Sequence, residues 1–216
     1  AHADVSWCSR PGSPVGTARV LPCDAGRRPG TVEQLTPIAA TWFARDAPTV
    51  AAELLGKMLV VDRGGTRTSG RIVETEAYTG DDPASHSYRG RTARNSVMFG
   101  PAGRLYVYLS YGIHHCANVV TGSVDDGQAV LIRAIVPVDG IDTMLRRRGR
   151  TPLADGPGKL CRALGIDLDD NGIDLGVAGP IRIFDDGTQP PADPVVGPRI
   201  GISTGRERPW RFRTPE

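Results

Sequence analysis

The sequence lacks the features of several common classes of protein. Its four cysteines, Cys8, Cys23, Cys116 and Cys161, are far apart and form no CxxC pair, so neither a zinc site nor a disulfide framework is indicated. It contains no run of about 18 apolar residues for a membrane span, and its first residues lack the apolar core of a secretory signal. We therefore expect a soluble cytoplasmic protein with free thiols and no membrane partner.

Lysine is also scarce. Lys57 and Lys159 are the only lysines among 26 basic residues, so guanidinium groups, which pair well with phosphate, carry nearly all of the positive charge. A GC-rich genome would give the same excess of arginine. The formal net charge of +2 is far below that of a protein held to nucleic acid by charge alone. Any affinity for DNA must therefore come from a local surface.

Length and composition favour one globular domain preceded by a flexible segment. The chain has 216 residues, of which 39% are hydrophobic, and this is enough for a single core. Residues 1–40 are rich in Gly, Pro, Arg and Ala and show no periodicity. We predict a flexible N-terminal extension over residues 1–40 and one folded domain over residues 41–216.

The pattern of the remaining chain predicts an α+β fold. Helices are predicted after Asp46, with Pro48 in the first turn, and at residues 139–148 and 156–164. Strands are predicted at residues 58–61, 71–78, 105–109, 114–120, 129–136, 181–184, 199–202 and 210–213. Antiparallel hairpins outnumber βαβ units, which favours a curved antiparallel sheet, open and barrel-like, with surrounding helices and a protruding hairpin.

Aromatic and acidic residues are concentrated in one part of the chain. All five tyrosines lie between Tyr78 and Tyr111, and three of the four histidines lie in or just beyond that window. Strand alternation places Glu76 and Tyr78 on one face, and Tyr111 lies at a hairpin tip, where a large ring is not easily buried. Arg133 lies in an otherwise apolar strand and needs a partner. Rings with polar tips beside a carboxylate indicate stacking on a nucleobase and acid–base chemistry.

An ordered set of motifs resembles the alkyladenine (3-methyladenine) DNA glycosylase family. The motifs are RIVETEAY at 71–78, ASHS at 84–87, RNxxMF at 94–99, LYVYxxYG at 105–112, Asn118, LIRA at 131–134 and GPGKLCxAL at 156–164. They cover about residues 43–212 in the same order and with similar spacing. An ordered set of this kind is far more specific than a single motif.

The resemblance implies an activity. A member of the family flips alkylated or deaminated purines, such as 3-methyladenine, 7-methylguanine, hypoxanthine and ethenoadenine, out of double-stranded DNA and hydrolyses the N-glycosidic bond. The enzyme would be monofunctional, would leave an abasic site, and would act as a monomer without cofactor or metal, associated with the nucleoid in the cytoplasm. Glu76 matches the general base that activates the attacking water, and Arg133 matches an arginine near that water and the nucleotide's phosphate.

The resemblance also assigns residues to the base and to the DNA. Tyr78, His86 and Tyr108 match a pocket that grips the flipped base, and Asn118 matches the residue that excludes normal guanine by clashing with its exocyclic amino group. Tyr111 matches the hairpin tyrosine that fills the gap left in the duplex. The assignment requires that the Glu76 carboxylate faces the concave groove and that Tyr111 is exposed.

The phosphate contacts are predicted separately. Arg91 and Arg94 lie in the long polar loop after the strand at 71–78, and with Lys159 they are our candidates for contacts to DNA phosphates.

Two other interpretations remain open on the sequence. Glu74, Glu76, Asp81 and Asp82 could form an oxygen-ligand cluster for Mg²⁺ in a metal-dependent nuclease, since Glu74 and Glu76 share a strand face. A protein that binds lesions without turnover would carry the same pocket. Activity in excess chelator and release of the damaged base distinguish these alternatives from the glycosylase.

Overall fold

The structure is a computed structural model that describes residues 35–215. Residues 1–34 of the predicted extension, with Cys8 and Cys23, lie outside the described residues. Cys116 and Cys161 are buried free thiols, as predicted. None of the helices within the described range has the length and apolar character of a membrane span.

An open antiparallel sheet organises the described part of the chain. Its nine strands are β1 (Thr36–Pro37), β2 (Met58–Arg63), β3 (Thr66–Tyr78), β4 (Leu105–Ser110), β5 (His114–Thr121), β6 (Gln128–Asp139), β7 (Ile181–Asp185), β8 (Val195–Gly197) and β9 (Arg211–Arg213). The strand order is β1-β7-β2-β3-β6-β5-β4, and β9 pairs with both β3 and β8. This arrangement confirms the predicted α+β fold. Since β1 pairs with β7, the end of the predicted extension belongs to the sheet.

Three helices cover the sheet in residues 35–215: α1 (Ala47–Glu53), α2 (Ile141–Arg148) and α3 (Pro157–Leu164). The Asp46 side chain accepts a hydrogen bond from the Thr49 N–H at 3.0 Å, which satisfies a free donor at the start of α1. Val50 of α1 and Leu160 of α3 are fully buried in the main core, which they share with the central strands. The three predicted helices are confirmed to within a few residues.

The two central strands are irregular close to the predicted catalytic residues. In the pairing of β3 with β6, Ile72 opposes Ile135, Glu74 opposes Ala134 and Thr75 opposes Ile132, so Val73 and Arg133 are left without direct partners in the ladder. A bulge of this kind bends a strand and redirects a side chain. It lies within a few residues of Glu76 and contains Arg133.

Two strand predictions are wrong. Residues 199–202 form no strand, and β8 pairs with β9 in their place. The Arg199 side chain is buried and bonded elsewhere, and Gly201 has a φ of +79°, which is incompatible with an extended strand. Strand β6 also continues past Pro137 to Asp139. Its pairing with β5 is confined to residues 128–131, so Pro137 lies on a free edge where no N–H is needed.

Candidate active site

A cavity of about 1170 Å³ opens between the loop at residues 79–104, the β4–β5 hairpin, the start of α3 and residues 200–202. Eight of the predicted site residues line it: Tyr78, His86, Arg94, Tyr108, Tyr111, Asn118, Arg133 and Lys159. The structure therefore brings most of the predicted site together around one opening.

The aromatic wall of the cavity is made by three rings in contact. The centroids of His86 and Tyr108 are 4.4 Å apart at nearly right angles, and Tyr106 stacks on Tyr108 at 5.6 Å. His86 Nδ1 lies 3.0 Å from the Tyr106 hydroxyl. Tyr106 is only 1% exposed and holds the other two rings in place.

These rings are uncharged at neutral pH. Burial raises the pKa of Tyr106 to about 12 and raises that of Tyr108 as well. Burial, assisted by the nearby Arg94 guanidinium, lowers the pKa of His86. A wall of neutral π faces suits a flat apolar or cationic ligand.

Asn118 is held in a fixed orientation at the cavity wall. Its amide Nδ2 donates hydrogen bonds to the carbonyl oxygens of Tyr106 at 3.0 Å and of Cys116 at 3.4 Å. A side chain restrained by two backbone acceptors cannot rotate away from a ligand without losing them. The position suits a residue that excludes ligands by shape.

Glu76 does not meet the requirement that its carboxylate face the groove. The residue is fully buried, and in the described structure it lies behind the cavity wall. Oε1 accepts a hydrogen bond from the Ile200 N–H at 2.7 Å, and Oε2 accepts one from the Tyr78 hydroxyl at 2.8 Å. Both of these partners line the cavity. The segment at residues 199–202 contributes to this burial, because it turns over the carboxylate and bonds to it through the Ile200 N–H.

Arg133 is held between two carboxylates, as an arginine in an apolar strand requires. Its Nη1 lies 3.3 Å from Glu76 Oε2 and its Nε lies 3.4 Å from Glu74 Oε1. Arg211 Nε lies 3.0 Å from the same Glu74 oxygen. Burial raises the pKa of Glu76, and the Arg133 charge, the Ile200 N–H and the Tyr78 hydroxyl offset only part of that effect.

Tyr111 lies at the β4–β5 turn and is 87% exposed, which meets the second requirement. Its backbone φ is +49°, in the left-handed region that residues other than glycine rarely adopt. Such strain, of the order of 1–3 kcal/mol, persists only where the surrounding structure imposes it and is common at functional sites. The turn therefore holds a large aromatic ring out into solvent beside the cavity.

The predicted phosphate contacts differ in their surroundings. Arg94 lines the cavity and donates from Nη2 to the Leu109 carbonyl at 3.1 Å. Lys159 pairs with Asp155 at 2.8 Å at the cavity rim, and Arg91 pairs with Asp125 outside the cavity lining. Exposed pairs of this kind contribute only about 0–1 kcal/mol, so a phosphate can replace the carboxylate at small cost.

The oxygen cluster expected of a metal-dependent nuclease is not assembled. Glu74 and Glu76 flank Arg133. Asp81 instead pairs with Arg208, and Asp82 pairs with Arg199. Hydrogen bonds from Arg208 and from Thr79 lower the pKa of Asp81 to about 2. Across residues 35–215, no three His, Cys, Asp or Glu side chains converge. The four carboxylates are divided among ion pairs and share no centre.

The C-terminal wall of the cavity was not predicted from the sequence. Ile200, Gly201 and Ile202 line it, and Arg199 and Asp82 form a buried ion pair behind it. The feature that singled out Arg133, an arginine in a predicted strand, was also present at Arg199. Its partner could not be identified, because the two residues are 117 positions apart.

Comparison with known proteins gives one consistent result. A family model described as methylpurine-DNA glycosylase matches residues 41–216. A relative from Methanoculleus marisnigri is 50% identical over 181 residues, which is 81% of this chain and 93% of the relative. A relative from Burkholderia lata is 46% identical over 199 residues, which is 88% of this chain and 91% of the relative. A relative from Carboxydothermus hydrogenoformans is 50% identical over 176 residues, which is 79% of this chain and 91% of the relative. All three carry the provisional name 3-methyladenine DNA glycosylase.

Proposed function

The chain belongs to the methylpurine-DNA glycosylase family, and from that premise we propose that it excises damaged purines from double-stranded DNA and leaves abasic sites. The substrates are alkylated or deaminated purines: 3-methyladenine, 7-methylguanine, hypoxanthine and ethenoadenine. The enzyme acts as a monomer through a domain at residues 41–216 and needs no cofactor. The observation that carries the proposal is the aromatic cavity directly in front of the buried Glu76, with the exposed Tyr111 at its rim.

The cavity binds the damaged base by its faces. Alkylation at N3 or N7 makes a purine cationic, and the neutral rings of Tyr78, His86 and Tyr108 offer π faces that attract such a cation. The same charge makes the base a good leaving group, because it departs neutral. Asn118, held rigidly by two carbonyls, disfavours normal guanine by crowding its exocyclic amino group, and the attraction of the π faces for a cation offsets this cost for 7-methylguanine.

Glu76 acts as the general base of the hydrolysis. A water oxygen forms a bond to the sugar C1′, the water's proton passes to the Glu76 carboxylate, and the bond from C1′ to the base nitrogen breaks with its electron pair going to the base. Arg133 stays beside that carboxylate and helps to hold the water and the nucleotide's phosphate. Because Glu76 is covered, water reaches Oε2 only when the Tyr78 hydroxyl gives up its hydrogen bond as DNA binds, while the Ile200 N–H keeps its bond to Oε1.

Excision should not depend on a metal ion. We expect duplexes that each contain one of the four modified purines to lose that base in excess EDTA under single-turnover conditions, whereas an undamaged duplex stays intact. Release of the free base is measured directly, and the abasic site is measured separately as strand cleavage after heating in alkali. Strand cleavage that occurs without alkali and that EDTA abolishes would support the nuclease. Tight binding without base release would support a lesion-binding protein.

The excision rate should depend on the ionisation of Glu76. Burial raises its pKa above the ordinary glutamate value of about 4.3. Only the ionised carboxylate accepts a proton, so the rate falls as the pH falls through this raised pKa, and the acid limb lies above about pH 4.3. Single-turnover rates across about pH 4 to 8 test this. If Glu76→Gln shows the same acid limb in its residual rate, the limb belongs to another group, such as His86.

A further inference from the structure

The most deeply buried ion pair beside the cavity joins Arg199 to Asp82, and both side chains are fully buried. Arg199 Nη1 donates to Asp82 Oδ2 and to the Ala77 carbonyl at 2.9 Å. Nη2 donates to Asp82 Oδ1 at 3.1 Å and to the Gly205 carbonyl at 2.9 Å. A buried pair of this kind is weak evidence for stability, because apolar residues of the same volume are often equally stable. Its location beside Glu76 and Tyr78 indicates a role in the active site instead.

The acceptors of Arg199 connect three parts of the active site. Ala77 lies between Glu76 and Tyr78 in β3, Asp82 lies in the loop that follows, and Gly205 closes the segment that covers Glu76. The guanidinium carbon is 4.7 Å from the centroid of the Tyr78 ring, so that ring has a cation on one face. The residue after Arg199 is Ile200, whose N–H bonds to Glu76 Oε1 at 2.7 Å.

We infer that Arg199, together with Asp82, is a positioning residue for the reaction: the pair holds the Ile200 N–H against Glu76 and fixes the ring of Tyr78 beside it. The inference rests on the proposed function, since it concerns the same carboxylate. Neither Arg199 nor Asp82 lines the cavity. Arg199 acts through Ile200, which follows it in the chain, and through Tyr78, on which it stacks, and Asp82 acts by holding Arg199.

The pair also affects how readily Glu76 ionises. The charged and titratable groups around that carboxylate are Glu74 and Tyr78 of β3, Tyr108 of β4, Cys116 of β5, Arg133 of β6 and Arg211 of β9. The Ile200 N–H is among the contacts that lower the pKa of Glu76. If the segment at 199–205 shifts while the carboxylate stays buried, that contact weakens and the pKa of Glu76 rises further. The acid limb of the excision rate then moves to higher pH.

Arg199→Lys tests the inference without leaving Asp82 as an unpaired buried charge. A lysine ammonium keeps the charge, but it cannot stack as a plane on Tyr78 or span the acceptors that the guanidinium reaches. We expect the single-turnover excision rate to fall by about 10- to 100-fold, since a small misplacement of catalytic groups has effects of that size. Affinity for a duplex with an abasic site should change by less than about threefold, because the exposed ring of Tyr111, which is expected to fill the gap in the duplex, is untouched. Raising the pH should recover part of the rate.

Gly205→Ala disturbs the same pair by a different route. A Cβ at position 205 would stand 2.7 Å from Asp82 Oδ1 and 3.0 Å from Arg199 Nη2, on a backbone with a φ of +65°. Both charges remain, so the result does not depend on removing one. We expect the same loss of rate, the same retention of affinity and the same shift of the acid limb.

Asp185→Asn is the matched control. It removes the charged partner of the buried Lys57, which it meets at 2.8 Å, outside the cavity lining. All rates are divided by the folded fraction measured from thermal melts. The control should melt at a lower temperature and keep its rate and its pH profile.

The possible outcomes separate the inference from the proposed function. If the wild type does not excise the base, the proposed function itself fails. If the wild type is active and Arg199→Lys keeps its rate and pH profile, the inference is overturned. It is overturned equally if rate and affinity fall together, or if neither variant folds, because the pair would then serve the fold alone.

Discussion

Replacing Glu76 by glutamine is expected to leave the enzyme able to bind damaged DNA and to lower its excision rate by about 10²- to 10⁴-fold. The amide has the size of the carboxylate and its oxygen can still accept the Ile200 N–H, so the cavity keeps its shape. It cannot take up a proton from water, and this is the step that a general base provides. Arg133 keeps Glu74 as a partner, so it is not left as an isolated buried charge.

Glu53→Gln provides the matched control for this substitution. Glu53 lies on α1, is partly exposed and pairs with Arg45 at 2.8 Å, outside the cavity lining. Single-turnover excision and binding to a lesion duplex are measured for both variants. Full activity in Glu76→Gln would remove the carboxylate from the mechanism, and equal losses in rate and binding would indicate a collapsed pocket.

The features of the site that the sequence predicted correctly depend on local patterns. Alternation along β3 placed Glu76 and Tyr78 on one face, and the structure joins them by a 2.8 Å hydrogen bond. The turn between two predicted strands placed Tyr111 at a hairpin tip, where it is 87% exposed. Such predictions succeed because strand periodicity and turn position are set by neighbouring residues.

The features that the sequence did not predict depend on contacts between distant residues. The burial of Glu76 depends in part on the segment at 199–202, which was predicted as a strand and instead folds over the carboxylate. That segment is anchored by the contact of Arg199 with Asp82, 117 positions away. An arginine and an aspartate that far apart carry no local pattern, so neither their pairing nor its place beside Tyr78 could be deduced from one sequence.

Replacing Tyr111 by asparagine is expected to weaken binding to a lesion duplex by about 5- to 150-fold, because stacking of one ring on the bases contributes about 1–3 kcal/mol. Without the ring, nothing fills the gap that the flipped nucleotide leaves, and the base returns to the stack. The fold should not suffer. Asparagine tolerates the φ of +49° better than tyrosine does, and the ring is almost wholly exposed.

The same substitution therefore separates function from stability. We expect Tyr111→Asn to melt at the wild-type temperature or slightly above it, because backbone strain of the kind stored at functional sites is reduced. Tyr88→Asn is the matched control, since Tyr88 is 52% exposed in the loop after β3 and lies outside the cavity lining. It should bind the lesion duplex as the wild type does. If Tyr111→Asn retains full affinity, the ring does not enter the duplex, and the exposed, strained turn that carries it must serve some other contact.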